Sequence, residues 1–515
     1  MDTTARKRSD LGRMARGSTI NMAGAGISGA LGFVLSVVLA RGLGVDDAGI
    51  FFEVVALYNI LEVVGQAGAP SGLVRMIARD RAVGQEADVR PTIWIATLPV
   101  LVVSTAMGLF CVAAAPWITD VVMQGGDSAV GVEYLRTLAP FMIASTLAGT
   151  LARAFQGFGQ MMPVVALTQV LVPVLRTVLC AGVLVAGFGP AALGLAWGLP
   201  SLVSLVVAIP WLGGALHRDE ARRRESAARR PVPEIASEFW RFTIYQALAT
   251  IVQIVLLRLD VLLVGGIENS KQAGIYSAAS RYLTPGVMFS TAIVFVVGPQ
   301  LAGMIARKDF DRARNVYQTA TLWLSVLSFP MYIAIAVYAT LLMRIFGPGF
   351  SAGATALQIL SIAMLLNMAT GAVRSALFMG GKSSWILWDN TAALVSNIVL
   401  NVILIPEFGI NGAAVAWAVS IAIGNLLPLY QVKGLWGLQP VGAGYLTAIA
   451  ASVLCFGVLG LLFRALLGDS IPAFIAYAVV SSAIYCAWAW RSRRLLQIDA
   501  FGEALRLRRS RSAQA

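Results

Sequence analysis

Apolar runs of about 20 residues, each long enough to cross a hydrocarbon core of about 30 Å as a helix, recur along almost the whole chain. Bounded by polar or glycine-containing breaks, they predict helices near 18–41, 48–70, 92–116, 133–156, 162–187, 190–214 and 238–264, then 273–302, 316–346, 351–378, 385–406, 410–430, 440–466 and 470–490. That makes fourteen spanning helices. Pro99, Pro173, Pro285 and Pro330 fall inside these runs, and membrane helices tolerate them because neighbouring groups re-satisfy the freed backbone.

The pattern is stated twice. Ala48-Gly49-Ile50-Phe51 returns as Ala273-Gly274-Ile275-Tyr276, 225 positions on, and Met76-Ile77-Ala78-Arg79 returns as Met304-Ile305-Ala306-Arg307, 228 on. A later pair agrees: Phe188-Gly189 with Ala196-Trp197 matches Phe408-Gly409 with Ala416-Trp417 at a spacing of 220. Matches at nearly one offset indicate a duplicated chain. The copies start an even number of helices apart, so the halves are expected to be parallel, as in transporters built from repeats around an axis along the membrane normal. The predicted organisation is an all-α polytopic membrane protein. It has a basic N-terminus over 1–17, an N-lobe over 18–214, a basic linker over 215–237 and a C-lobe over 238–430. Two further helices over 440–490 and a basic tail over 491–515 complete it.

Composition agrees with that reading. Of 515 residues, 58% are hydrophobic and 13% charged, against about 25% charged in soluble domains. Mean hydropathy is +0.77. The net charge of +13 would suit nucleic acid, but its placement argues otherwise. Lys and Arg cluster at 6–16, 75–90, 218–230, 307–314 and 491–511, with Lys382 and Lys433 between, while segments such as 117–132 and 404–410 hold none. This alternation predicts both termini in the cytoplasm and no nucleic-acid partner. The linker, with Arg222, Arg223, Arg224, Arg229 and Arg230, reads as an orienting charge loop near anionic membrane lipids, and the tail with Arg506, Arg508, Arg509 and Arg511 reads the same way. The first apolar run is too long for a cleaved signal peptide and reads as a retained helix. Cys111, Cys180, Cys455 and Cys486 all lie inside apolar spans without metal-ligand spacing, so no metal is expected.

The run Leu39-Ala40-Arg41-Gly42-Leu43-Gly44 followed by Asp46-Asp47-Ala48-Gly49-Ile50-Phe51 resembles the start of Wzx-like oligosaccharide flippases. These are the polysaccharide-transporter branch of a superfamily that also holds multidrug/cation antiporters and lipid II flippases. The likeness continues through Gly157-Phe158-Gly159-Gln160, Gly380-Gly381-Lys382 and the two Phe-Gly…Ala-Trp pairs. It implies two six-helix lobes in a V, alternating access, and a polyprenyl-pyrophosphate-linked oligosaccharide turned from the inner to the outer leaflet. It also implies a polysaccharide polymerase and glycosyltransferases as partners.

A charge at the bilayer centre costs about 2.5–3.5 kcal/mol on insertion scales, so intramembrane polar residues mark candidate sites. Gln246, Thr250, Gln253 and Asp260 share one predicted helix face, as do Ser277, Ser280, Arg281 and Thr284. Asn59, Glu62 and Gln66 align on the second helix, and Asn21, Ser28, Gly24 and Gly32 on the first. Such stripes fit a hydrated cleft, although Gly24-Ser28-Gly32 alone reads as helix packing. Arg281, near the middle of its predicted helix, is the expected pyrophosphate ligand together with Arg258, because the guanidinium fork donates two parallel hydrogen bonds and stays charged. Gln246, Gln253, Asn59, Ser277 and Asn21 complete the expected substrate set. Glu62, Asp260 and Glu53 are candidates for coupling to H+ or Na+, with no other cofactor. Arg258 and Asp260 face different sides of their helix and are not expected to pair. Arg153 and Arg374 read as snorkelling residues, and Arg176 and Asp389 are expected to have partners inside the bundle.

Two other readings compete. A multidrug or organic-cation antiporter, or a lipid II-type flippase, would share the build, but a cation site favours acidic and aromatic groups over Arg281. A membrane glycosyltransferase would use Asp46-Asp47 to bind an activated sugar, yet the loop holding them is a few residues long. A cap on the second helix is the simpler account, where carboxylates suit the N-terminus. No Walker motif, metal-binding His-Glu pair or nucleophile elbow occurs, so no catalytic residue is expected.

Overall fold

The computed structural model describes residues 3–123, 128–220 and 230–496. Arg222, Arg223, Arg224 and Arg229 of the linker, and the tail from residue 497 with Arg506, Arg508, Arg509 and Arg511, lie outside the described residues. Among those described, every regular element is helical. Ten helices are long and apolar enough to cross a membrane, or eleven if Ser128–Leu138 and Phe141–Gly157, which meet at a 47° bend, form one span. Large apolar side chains stand exposed along them, among them Trp94, Leu109, Val185 and Leu446. This is the outer surface of a protein whose solvent is lipid.

The count falls short of the expected fourteen partly because two candidates are far too long to be one span. Ile20–Ala82 and Ser384–Trp436 hold 63 and 53 residues, where about 20 suffice. Each is interrupted by a glycine whose dihedrals are closed to a helix: Gly44 at φ 80°, ψ −178°, and Gly409 at φ 56°, ψ −138°. The chain folds back at both. A Cβ on Gly412 would lie 2.2 Å from the Leu404 carbonyl oxygen, whereas eight residues of straight helix would part them by about 12 Å. Before Gly44, Gly24 packs on Gln169 and Gly42 on Leu184, so the first helix runs beside 165–184. After Gly44, Tyr58 and Glu62 return to Arg176 on that same neighbour.

Other expected helices are broken where the sequence suggested continuity. The run 273–302 is two helices, Ser270–Arg281 and Thr284–Ala306, and 351–378 divides into Ala354–Ala369 and Val373–Met379. The run 316–346 becomes Phe310–Val337 and Ala339–Arg344. Pro285 has no N–H to continue the first of these, and it sits at the start of the next helix. A buried side chain supplies what the break lacks: the Tyr332 hydroxyl donates to the Leu283 carbonyl at 2.8 Å and accepts the Gly286 N–H at 3.0 Å.

By contact the chain divides into two compact units, one ending at Ser277 and the other beginning at Ala278. The division expected from the linker at 215–237 falls earlier. Helix Val232–Ile267 and residues 270–277 pack instead with the helices that precede the linker. In the first unit a core gathers Leu73, Ile77, Phe155, Leu212 and Phe239; in the second, Leu301, Tyr317, Leu377 and Val432 do so.

Where the first core reaches its basic end, an ionic cluster closes it. Arg230 donates to Asp88 at 2.6 Å, to Glu238 at 2.9 Å and to Asp80 at 3.2 Å, and Glu238 also pairs with Arg79. Asp80 and Asp88 are almost fully buried. The carboxylates around Arg230 hold its guanidinium above the usual arginine range, the Asp88 hydrogen bond being the largest cause.

Candidate functional site

The two copies of the Ala-Gly-Ile motif meet in the first unit. A Cβ on Gly49 would lie 1.9 Å from the Ser270 carbonyl oxygen, and one on Gly274 would lie 2.7 Å from the Gly49 Cα. Only glycine lets two helix backbones approach so closely. Beside the contact the Ser270 hydroxyl donates to Glu53 Oε2 at 2.8 Å, and Lys271 lies 3.8 Å from Asp46. Glu53 is fully buried, its Oε1 has no hydrogen-bond partner, and a Cβ on Gly265 would fall 1.7 Å from that oxygen. The acidic pair at Asp46-Asp47 thus faces the basic residue of its own repeat counterpart, a solvent-exposed contact worth little energy.

From this crossing the motif leads to a polar cluster. Phe51 packs edge-on against Tyr134 and Trp197, with ring centroids 5.0 and 5.3 Å away. Trp197 in turn carries Arg176, whose guanidinium lies 4.3 Å from the indole centroid, while its Nε donates to the Trp197 carbonyl at 3.1 Å and its Nη2 reaches Ser201 at 3.5 Å. Tyr58 and Glu62 interact electrostatically with Arg176, and the Tyr58 hydroxyl donates to Ser145 at 2.8 Å. Seven residues before Arg176, in the π-helical turn Val165–Leu171, Gln169 Nε2 donates to Asn21 Oδ1 at 2.9 Å. Gly24 leaves room for that amide, since a Cβ there would be 2.2 Å from Gln169 Oε1.

The predicted residues are not all placed alike. Glu62 joins Arg176, whereas Asn21 is paired with Gln169. Asn59 is turned back on its own helix, donating to the Val55 carbonyl at 2.7 Å. Asp260 is buried and accepts the Tyr276 hydroxyl at 3.1 Å, and Ser277 is buried as well. Gln246 and Gln253 are exposed on the same helix, so the stripe expected over Gln246–Asp260 is open at one end and closed at the other. Arg258 is half-buried and its Nε has no partner. Arg281 is half-buried in the second unit, and its expected position near the middle of a helix needs correction. It is the last residue of Ser270–Arg281, where a cation suits the helix dipole, and Thr284 opens the next helix. The stripe drawn through Ser277, Arg281 and Thr284 therefore does not lie on one continuous helix.

Sequence reasoning missed the role of Gln169, Tyr58 and Trp197; Gln169 and Arg176 were readable as polar residues of one apolar run, but not the π-helical turn Val165–Leu171 that carries Gln169. In the second unit Asp389 accepts from Gln431 at 2.8 Å and Arg374 donates to Asn390 at 2.7 Å. No group of His, Cys, Asp and Glu that could hold a metal occurs among the described residues.

These features define an all-helical, multi-pass membrane protein built on an internal repeat, with polar and charged side chains held inside the span. The chain belongs to the family described as "Polysaccharide biosynthesis protein", whose model matches residues 14–305. It is 23% identical over 420 residues to a probable low-salt glycan biosynthesis flippase, Agl15, of Haloferax volcanii, covering 81% of this chain and 82% of that one. A probable flippase of the same organism, AglR, is 28% identical over 211 residues, 39% of this chain and 44% of its own. Among solved structures, the lipid II flippase MurJ in an inward closed conformation shares the fold with a TM-score of 0.73 at 14% identity, over 92% of this chain and 99% of that one.

Proposed function

We propose that the chain is a transporter, not an enzyme, that turns a polyprenyl-pyrophosphate-linked oligosaccharide from the inner to the outer leaflet of the cell membrane by alternating access. The family match over residues 14–305 carries this reading, joined by a relative named as a glycan biosynthesis flippase along most of the chain. In it both termini are cytoplasmic, and a polysaccharide polymerase and glycosyltransferases are its partners. Arg281 and Arg258 receive the pyrophosphate, as planar cations able to bind it bidentately. Gln246, Gln253, Asn59, Ser277 and Asn21 offer donors and acceptors to sugar hydroxyls. Glu62, Asp260 and Glu53 are the carboxylates through which H+ or Na+ would couple, and Glu62 stands within the field of Arg176. Deleting the gene and analysing lipid-linked intermediates tests the proposal. Accumulated lipid-linked oligosaccharide supports it, whereas drug sensitivity with normal intermediates overturns it.

A further inference from the structure

The first unit carries a groove on its membrane face, apart from the polar cluster. It lies between helices Val89–Ala113, Phe141–Gly157 and Pro190–Glu220 and has a volume of about 490 Å³. Its walls are apolar over most of their length: Leu98 and Leu101 on one side, Leu151 beneath, Leu205 and Ile209 on the other. Both walls change character at the same end. Arg90 opens one helix and His217 closes the other, so antiparallel helices bring two basic side chains to one mouth of the groove, next to Arg218. Trp94 lies one turn inside that mouth with 64% of its surface exposed, the setting of an interfacial aromatic.

The dimensions suit a lipid of one leaflet. From Arg90 to Leu101 the wall rises about 16 Å, and from His217 back to Leu205 about 18 Å, each near half of a hydrocarbon core of about 30 Å. A cationic mouth and an apolar trough one leaflet deep match a phospholipid whose acyl chain lies in the trough and whose phosphate meets Arg90. By the positive-inside rule the basic mouth belongs to the cytoplasmic leaflet, where anionic headgroups concentrate. A Cβ added at Gly213, one of its lining residues, meets nothing within 4 Å.

We propose that this groove is a binding site for an anionic glycerophospholipid, selected over zwitterionic lipid by Arg90. The inference is independent of what the protein transports.

Native mass spectrometry of the full chain, released from vesicles holding equal phosphatidylglycerol and phosphatidylcholine, tests it. The wild type is expected to retain phosphatidylglycerol preferentially. Arg90→Gln should bring its retention down to the phosphatidylcholine level, and Gly213→Leu, which fills the trough, should abolish retention of both. Ile209→Trp, at a position 57% exposed, repeats the second arm with a different side chain, and melting temperatures without added lipid report that each variant is folded. Equal retention of the two lipids by the wild type, or a phosphatidylglycerol preference surviving in all three variants, overturns the proposal. So does stoichiometric displacement of phosphatidylglycerol by polyprenyl phosphate, which would make the occupant an isoprenoid.

Discussion

Gly49 and Gly274, equivalent residues of the two motif copies, touch backbone to backbone: a Cβ on Gly274 would stand 2.7 Å from the Gly49 Cα. The repeat is thus a contact as well as a sequence pattern. Neither helix has a flexible neighbour to move aside, because the atoms met are main chain. Gly49→Ala and Gly274→Ala are each expected to cost at least the 1–3 kcal/mol typical of overpacking. Thermal unfolding in detergent checks this: both should melt well below the wild type, while Gly26→Ala, whose Cβ meets nothing within 4 Å, should not shift by a comparable amount.

Glu53 is held by the same crossing, fully buried with Ser270 as its hydrogen-bond partner. A carboxyl buried with no cation beside it gains nothing from being ionisable, and an amide of the same shape keeps the Ser270 bond. Glu53→Gln is therefore expected to melt at or above the wild-type temperature. Glu53→Ala, which leaves a cavity, should cost about 2–3 kcal/mol. If Glu53 carries the coupled ion, transport will fail in both variants alike; transport kept by Glu53→Gln removes it from that role.

How much of this was legible in the sequence follows from the reach of each signal. Periodicity revealed the membrane class and most helix positions, because hydrophobicity is a local property of each run. The 225-residue spacing revealed the duplication. Neither shows that the copies touch, since a contact between Gly49 and Gly274 depends on how helices cross. The break after Arg281 was hidden for a different reason: Pro285 was readable, but the hydroxyl that makes a break tolerable there belongs to Tyr332, 47 positions on. Glu62 and Arg176 were each visible as polar residues in apolar runs, while their meeting depends on the chain folding back at Gly44. The ionic cluster draws Asp80, Asp88, Arg230 and Glu238 from separate elements; the sequence marked Arg79 and Asp80 as the end of a repeated motif and Arg230 as part of a charge run, but nothing in it joined them.

Arg230 holds that cluster together. Removing it leaves Asp80 and Asp88 buried without their cation, a change that costs about 3–5 kcal/mol for a buried pair. Arg230→Gln should lower the melting temperature strongly. Adding Asp80→Asn and Asp88→Asn to it should restore part of the loss, since the unpaired charges go with them. A triple variant no more stable than Arg230→Gln would show that the arginine acts through packing rather than charge.

Tyr332 makes a second test of a break repaired from a distance. Its hydroxyl is the partner of both the Leu283 carbonyl and the Gly286 N–H. Phenylalanine keeps the ring but strands the Gly286 N–H and leaves the Leu283 carbonyl only the 3.5 Å bond from the Val287 N–H, and a buried group without a partner costs about 1–3 kcal/mol. Tyr332→Phe should speed hydrogen exchange at Gly286 and lower the melting temperature, with Gly286→Ala doing at least as much because its Cβ would lie 2.0 Å from that hydroxyl.

Arg281 and Arg176 separate a substrate role from a structural one. Arg176 is bonded to the Trp197 carbonyl and stacked on its ring, so Arg176→Ala should destabilise the first unit and lower flipping through that loss. Arg281 ends a helix beside a break, where its charge can meet a ligand as well as the helix dipole. Arg281→Ala is expected to abolish flipping of lipid-linked oligosaccharide in reconstituted vesicles while membrane insertion and yield stay at the wild-type level. Arg281→Lys keeps the charge but loses the planar fork, and should recover only part of the rate. Full transport by Arg281→Ala would move the pyrophosphate elsewhere. Full transport by Arg281→Lys would show that charge, rather than the geometry of the guanidinium, is what the headgroup reads.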